Sequence, residues 1–200
     1  MWVTLGCLAA YLLGSLNFSL VAARLDGRGD LRRYHSGNPG ASNVYRVLGA
    51  RWAIGVLALD VGRGFAVVLL ARHLLADAWP GAPWPVVFCA AAVLAGNLFP
   101  VFHGFEGGKG VATTMGVYLG LHPLSALVAA ALWIGLVAGP VRRPSVGSLA
   151  VAVAYPLLMW AFGQDPALIG LACAIGAMVV FTHRQNIRRL LRGEEPRIGG

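Results

Sequence analysis

Long apolar stretches separated by short polar segments dominate the chain. Trp2 to Ala23 carries no charge, and about 20 helical residues suffice to cross a hydrocarbon core. The same pattern predicts spans over 52–71, 84–103, 146–162 and 166–182. From Val111 to Val141 there is no Asp, Glu, Lys or Arg. His122-Pro123 divides that run, because proline disfavours helix in the residue before it. Helices are therefore expected to about Leu121 and again from Pro123 to Ala138. The first of the two is about 17 Å long at the helical rise, short for a crossing, which suits a helix that begins inside the membrane. The expected fold class is all-α: a polytopic membrane protein of about seven transmembrane helices with re-entrant or partly embedded motif loops, forming a single domain over 1–200.

The interruptions are as informative as the runs. Asn17 is the one awkward polar group in the first span, placed either to bond a neighbouring helix or to face a polar site. In the second span Asp60 and Arg63 share a helix face at a spacing of three. They read equally as a functional pair and as a mutually neutralising pair at a helix contact. Residues 35–46, His-Ser-Gly-Asn-Pro-Gly-Ala-Ser-Asn-Val-Tyr-Arg, are dense in turn formers whose side chains bond the local backbone. Such density suits a cavity-lining segment, since irregular backbone at membrane depth must be satisfied by protein or water. The tail from His183 to Arg192 is basic and amphipathic, as expected of a segment lying on the membrane surface.

Composition sharpens this picture. The chain has 200 residues, 58% hydrophobic and 12% charged, with a mean hydropathy of +0.69; a soluble domain carries about 25% charged residues. The net charge of +8 thus reads as a topology signal rather than a nucleic-acid footprint. With seven spans and the N-terminus outside, fourteen of the sixteen cations fall in 24–51, 103–110, 139–148 and the tail, all on one side. The positive-inside rule makes that side cytoplasmic. The first apolar run lacks a basic leader and is expected to be retained rather than cleaved. Cys7, Cys89 and Cys173 lie in apolar runs without motif spacing and read as small hydrophobes.

The candidate chemistry centres on Phe99-Pro-Val-Phe-His-Gly-Phe-Glu-Gly-Gly-Lys-Gly-Val-Ala-Thr-Thr114, which holds Lys109, the only lysine. Gly107, Gly108 and Gly110 surround it and a helix start follows. Backbone amides at a helix N-terminus beside an ammonium make a phosphate cradle; an ordinary Gly-rich turn with a snorkelling lysine fits the same residues. The Walker pattern would need glycine at 103 and a hydroxyl at 110. His103 and Gly110 stand there, so ATP binding is not expected. Among the polar segments, Ser36, Asn38, Ser42, Asn43, Arg46, Lys109, Thr113, Ser145, Ser148, His183 and Asn186 supply cations, amides, hydroxyls and an imidazole, with Glu106 as the only carboxylate noted. That set suits anionic ligands and suits Mg²⁺ or Ca²⁺ poorly. With apolar surroundings for an acyl tail, it points to a phosphate-bearing headgroup with a fatty chain, or to two such substrates.

Four motifs in order, Ser36-Gly-Asn-Pro-Gly-Ala-Ser-Asn-Val-Tyr-Arg46, Phe99 to Thr113, Ser145-Val-Gly-Ser148 and His183-Arg-Gln-Asn-Ile-Arg-Arg-Leu190, resemble the acyl-phosphate-dependent glycerol-3-phosphate acyltransferases of bacterial membranes over nearly the whole chain. The resemblance implies a seven-span enzyme of the cell (inner) membrane, its active site facing the cytoplasm. Such an enzyme moves a fatty acyl group from acyl phosphate to the 1-hydroxyl of glycerol 3-phosphate. The products are lysophosphatidic acid and phosphate, and no cofactor or metal is needed. Carried over by position, Ser36, Arg46, Lys109 and Ser148 would hold phosphate oxygens, and His183 and Asn186 would line the glycerol 3-phosphate side, these six forming the catalytic set. Gly37, Gly40, Gly107, Gly108 and Gly110 would shape the loops, with Asn38, Ser42, Asn43, Asn97, Thr113 and Ser145 completing the substrate-binding set. The hydroxyl proton would go either to a protein base such as His183 or to a phosphate oxygen.

Three positions depart from the family pattern. Asn97 stands where the family usually has histidine, Asp60…Arg63-Gly64 replaces Asp…Lys-Gly, and Ser42 replaces threonine. A divergent paralogue with another acceptor and a small anion transporter are the competing readings. An acyltransferase using a His-x4-Asp pair is not, since no histidine here has Asp five residues later.

Overall fold

The first apolar stretch is not one helix. In the computed structural model, which describes residues 1–139 and 141–198, α1 (Trp2–Ser15) ends at Leu16 and α2 (Phe18–Leu25) starts afresh. Asn17 makes the break local: its side-chain oxygen accepts the amide of Leu20 at 3.1 Å, which is N-cap geometry. It therefore caps its own segment instead of bonding a neighbouring helix. The remaining elements are α3 (Ala41–Leu48), α4 (Ala50–Leu74), α5 (Trp84–Leu98), α6 (Val111–Leu121), α7 (Pro123–Ala138), α8 (Pro144–Ala161), α9 (Pro166–Thr182) and α10 (Arg184–Leu191). No strand occurs among the described residues.

Local chemistry explains where these helices begin. Proline opens α7, α8 and α9, where its missing N–H costs nothing. His122 Nδ1 accepts the amide of Ser125 at 3.2 Å, and an Asp165 carboxylate oxygen accepts that of Ala167 at 2.7 Å. The span expected from about Val146 begins two residues earlier, at Pro144, so Ser145 and Ser148 lie in the first turns of α8. The third stretch ends as helix at Leu98 and continues to His103 as a separate 3-10 turn, Val101–His103.

Four helical stretches are long and apolar enough to cross a bilayer: 2–25 (bridging the break), 50–74, 84–103 and 144–161. A fifth is α9, followed after a 58° bend by α10. The 11 residues of α6 and 16 of α7 are shorter. Large apolar side chains point outward along these stretches, Ile54, Leu157 and Trp160 among them, the last 72% exposed. In water such a surface would be an aggregation liability; it is the surface a hydrocarbon solvent requires.

The described chain falls into two compact units, 1–120 and 121–200. In the first, α1 and α5 cross with backbones almost touching. A Cβ on Gly14 would lie 2.2 Å from the Val93 carbonyl, and one on Gly96 would lie 2.1 Å from that of Tyr11. The same reciprocal arrangement joins α4 to α6, with Gly64 against Thr113 and Gly116 against Val61. Lipid tails are as apolar as leucine, so membrane helices gain from close packing through small residues rather than from hydrophobic exclusion. In the second unit Gly176 backs onto the Ala152 carbonyl, and Gly147 lies under the Trp133 ring. Since neither backbone at the α1–α5 crossing can yield cheaply, Gly96→Ala should cost about 1–3 kcal/mol, read as a lower melting temperature in detergent. Melting like the wild type would disprove the contact.

Candidate active site

In the first unit the turn at 36–40 and the Lys109 loop are in contact. A Cβ on Gly108 would stand 3.0 Å from the Pro39 carbonyl and 4.0 Å from the Asn38 side-chain oxygen, and one on Gly107 would stand 2.1 Å from the Asn97 carbonyl. The Gly107 amide donates to Leu98 O at 3.1 Å. These two glycines are therefore required because the loop backs onto α5 on one side and the 36–40 turn on the other. Gly110 has a different reason: its φ of +75° is a left-handed conformation that glycine adopts without strain. Its carbonyl accepts the amide of Thr114 at 2.8 Å, so Lys109 sits one residue before the opening turn of α6, where unsatisfied amides and the helix dipole favour an anion.

The first motif is held from beneath. Asn43 of α3 is buried and donates its side-chain amide to Leu31 O at 3.2 Å and Tyr34 O at 3.1 Å. Above it Ser36, Gly37 and Ser42 are exposed, and Asn38, Gly40, Arg46 and Lys109 half-buried. The Ser36 hydroxyl accepts the amide of Asn38 at 3.4 Å. Arg46 forms no ion pair among the described residues, in contrast to Arg32, whose Nη2 lies 2.8 Å from Asp30 and whose Nη1 lies 3.1 Å from Glu106. Arg32 also donates to the His103 carbonyl at 3.3 Å, tying the first polar segment to the Lys109 loop. Nothing in the arginine-rich run 24–51 distinguishes Arg32 as that tie. Its hydrogen bond holds the Asp30 carboxyl at about 2, and the bond raises the guanidinium in return.

Thr113 and Asn97, both expected to bind substrate, are buried. Thr113 is 1% exposed, and its hydroxyl accepts from Arg63 Nε at 3.1 Å and Nη2 at 2.9 Å. Asn97 is buried in the last turn of α5.

The second unit brings the other two motifs together through a residue the sequence reading missed. Glu195 is buried. It accepts from the Asn186 amide at 2.6 Å and from Arg189 Nε at 2.7 Å, while its backbone carbonyl accepts from Arg143 Nε at 3.1 Å. The Ile198 amide bonds Arg142 O at 2.7 Å. The tail thus turns back from α10 onto the start of α8, and Glu106 is not the only carboxylate among the motifs. Burial alone would raise the Glu195 carboxyl, but the bonds from Asn186 and Arg189 outweigh it and hold the group below its ordinary value. No spacing rule marks Glu195; only the return of the chain gives it partners.

His183, buried at the bend between α9 and α10, directs Nδ1 to the Val179 carbonyl at 2.8 Å. A carbonyl only accepts, so Nδ1 carries a proton. Ser145 and Ser148 are buried. The Ser148 hydroxyl donates to Pro144 O at 3.0 Å and accepts from Trp133 Nε1 at 3.3 Å, so presenting a proton to an anion requires it to rotate.

Both depressed carboxyls act as clamps. A group held below its unfolded value contributes stability that is complete above the ordinary carboxylate range and vanishes as pH falls through the folded value, for Asp30 toward about 2. In that acid window, hydrogen exchange corrected for intrinsic rates should lose protection at Arg32 and over 194–198 while α5 keeps it. Uniform loss across both units would contradict the assignment.

A family model described as glycerol-3-phosphate acyltransferase matches residues 4–193. The glycerol-3-phosphate acyltransferase of Geobacter sulfurreducens is 45% identical over 189 residues, 94% of this chain and 93% of that protein. The crystal structure of PlsY (YgiH), an integral membrane glycerol 3-phosphate acyltransferase, in its glycerol 3-phosphate form matches with a TM-score of 0.92 at 37% identity, covering 100% of this chain and 96% of the other. Its lysophosphatidic acid form gives 0.88 at 35% identity, covering 98% and 95%. The match extends over nearly the whole chain, and the chain belongs to the glycerol-3-phosphate acyltransferase family.

Proposed function

We infer that the protein transfers a fatty acyl group to the 1-hydroxyl of sn-glycerol 3-phosphate, giving lysophosphatidic acid, with acyl phosphate as the donor. The observation that supports the site assignment is the contact of the 36–40 turn with Gly108, which sets the Ser36 turn against the Lys109 loop. Arg46 has no carboxylate partner among the described residues, and Lys109 precedes a helix N-terminus; such cations bind phosphate oxygens. PlsY has been crystallised in glycerol 3-phosphate and lysophosphatidic acid forms, the acceptor and product of this reaction.

The hydroxyl oxygen of glycerol 3-phosphate attacks the acyl carbon, the bond from that carbon to the bridging phosphate oxygen breaks, and inorganic phosphate leaves. An acyl phosphate is already activated, so the protein's share is positioning and charge stabilisation. In the first unit Ser36, Arg46 and Lys109 hold phosphate oxygens; in the second, the Ser148 hydroxyl is offered to an anion on rotation away from Pro144. We assign His183 and Asn186 of the second unit to glycerol 3-phosphate, and a single acyltransferase domain to 1–200. The released proton goes to a protein base such as His183 or to a phosphate oxygen.

The orientation follows from charge. We assign seven crossings, counting α6 and α7, with the N-terminus outside and the tail in the cytoplasm, which puts fourteen of sixteen cations on the inner face of a bacterial cell membrane. Cysteine introduced at Arg197 should react with impermeant maleimide only in opened or inverted vesicles; labelling in intact cells would reverse the topology.

The decisive assay uses purified protein, palmitoyl phosphate and labelled glycerol 3-phosphate. Lysophosphatidic acid should form, and Lys109→Ala should lower its rate at least about a hundred-fold while the variant stays folded in membranes. Near-normal transfer by Lys109→Ala would overturn the site.

A further inference from the structure

We propose that Arg63 is a positioning residue for acyl transfer, holding the Lys109 loop in register by tying the first turn of α6 to the broken end of α1; this rests on the reading of Lys109 given above. The Arg63 side chain is 3% exposed and its donors are taken by protein acceptors. Its donors are distributed over separate elements. Nε and Nη2 reach the Thr113 hydroxyl at 3.1 and 2.9 Å. Nη1 reaches the carbonyls of Gly14, at 3.0 Å, and Leu16. Nη2 lies 2.8 Å from Asp60, and the guanidinium stands 5.2 Å from the centre of the Phe18 ring.

Thr113 is the third residue of α6 and follows Lys109 by four. The other end of the same loop is gripped by the same part of α1: Tyr11 Oη donates to Phe99 O at 2.8 Å, and the Val101 amide donates to Ser15 Oγ at 3.4 Å. The break after Ser15 frees carbonyls that a continuous helix would use internally, and Arg63 consumes them. Entry and exit of the loop are thus referenced to one short stretch, residues 11–16, with Arg63 as the link on the exit side. Thr113 acts on this account through Arg63 and not by touching substrate.

The test is a double-mutant cycle on the purified full chain with palmitoyl phosphate and glycerol 3-phosphate, measuring kcat, both KM values and the melting temperature. Thr113→Val removes the acceptor with little change of shape. It should raise the KM of at least one of the two phosphate-bearing substrates about ten-fold, the scale of a charge-assisted hydrogen bond, with kcat and melting far less affected. In an Arg63→Met background Thr113→Val should add nothing, and Arg63→Lys, which keeps a cation for Asp60 and the carbonyls, should recover part of the lost affinity. If Arg63→Met does not fold, the cycle is run on Arg63→Lys, where the Thr113→Val effect should shrink. Effects that multiply independently would place Thr113 on the substrate and overturn the proposal, as would unmoved KM values in an active enzyme. Wild-type protein making no lysophosphatidic acid would instead overturn the functional reading, and the role of Arg63 with it.

Discussion

A guanidinium removed from water must have its donors satisfied, because an unpaired buried charge costs far more than a buried pair. In the first unit that requirement falls on Arg63, and the surrounding elements are arranged to meet it. The first apolar stretch interrupts its own hydrogen-bond ladder at Leu16–Asn17, and carbonyls of Gly14 and Leu16 turn to Arg63. α4 contributes Asp60 one turn away, and α6 offers a hydroxyl in its first turn. The glycine crossings of α1 with α5 and of α4 with α6 bring these backbones within reach. Where the exclusion of apolar surface from water no longer drives association, polar ties and close contact take over.

The carboxylates divide along the same line. Asp26 pairs with Arg28 and accepts from Trp52, Asp30 and Glu106 take Arg32, Asp60 takes Arg63, and Glu195 takes Arg189. Each of these acids joins or caps structural elements, and each neutralises a cation that therefore has scaffold duty. Arg46 forms no ion pair among the described residues. In a chain with 16 cations and 8 acids, this allocation decides which arginines are available for chemistry, and counting charges along the sequence could not reveal it.

Much of the architecture was legible because one signal, sustained apolarity, is strong at the length of a membrane span. The expected ends at Pro123–Ala138 and Pro166–Thr182 coincide with α7 and α9 since proline and the capping residues His122 and Asp165 act locally. The Lys109 stretch was legible for a similar reason: glycines and a lone lysine before a helix start are contiguous. The break at Leu16–Asn17 was hidden because apolar residues run straight through it and only Asn17 marks the place. The meaning of Asp60 and Arg63 depended on carbonyls from α1, and that of Glu195 on the chain's return past Arg189, neither of which has a sequence period. The protein partners of Thr113 and Asn43 were not legible, because a buried hydroxyl or amide has the same letter whatever it faces. Gly107 and Gly108 likewise fitted a phosphate cradle, yet what fixes them is contact with the Asn97 and Pro39 carbonyls.

The interrupted first span has a consequence for anyone redesigning this molecule. Judged by hydropathy or helix preference, Asn17 is a blemish, and leucine there would complete an uninterrupted apolar rod. Such a repair would draw the Gly14 carbonyl back into the ladder and strand the guanidinium that depends on it. The flaw in the rod is the socket for the arginine, so a sequence optimised span by span would be improved in each part and weakened as a whole.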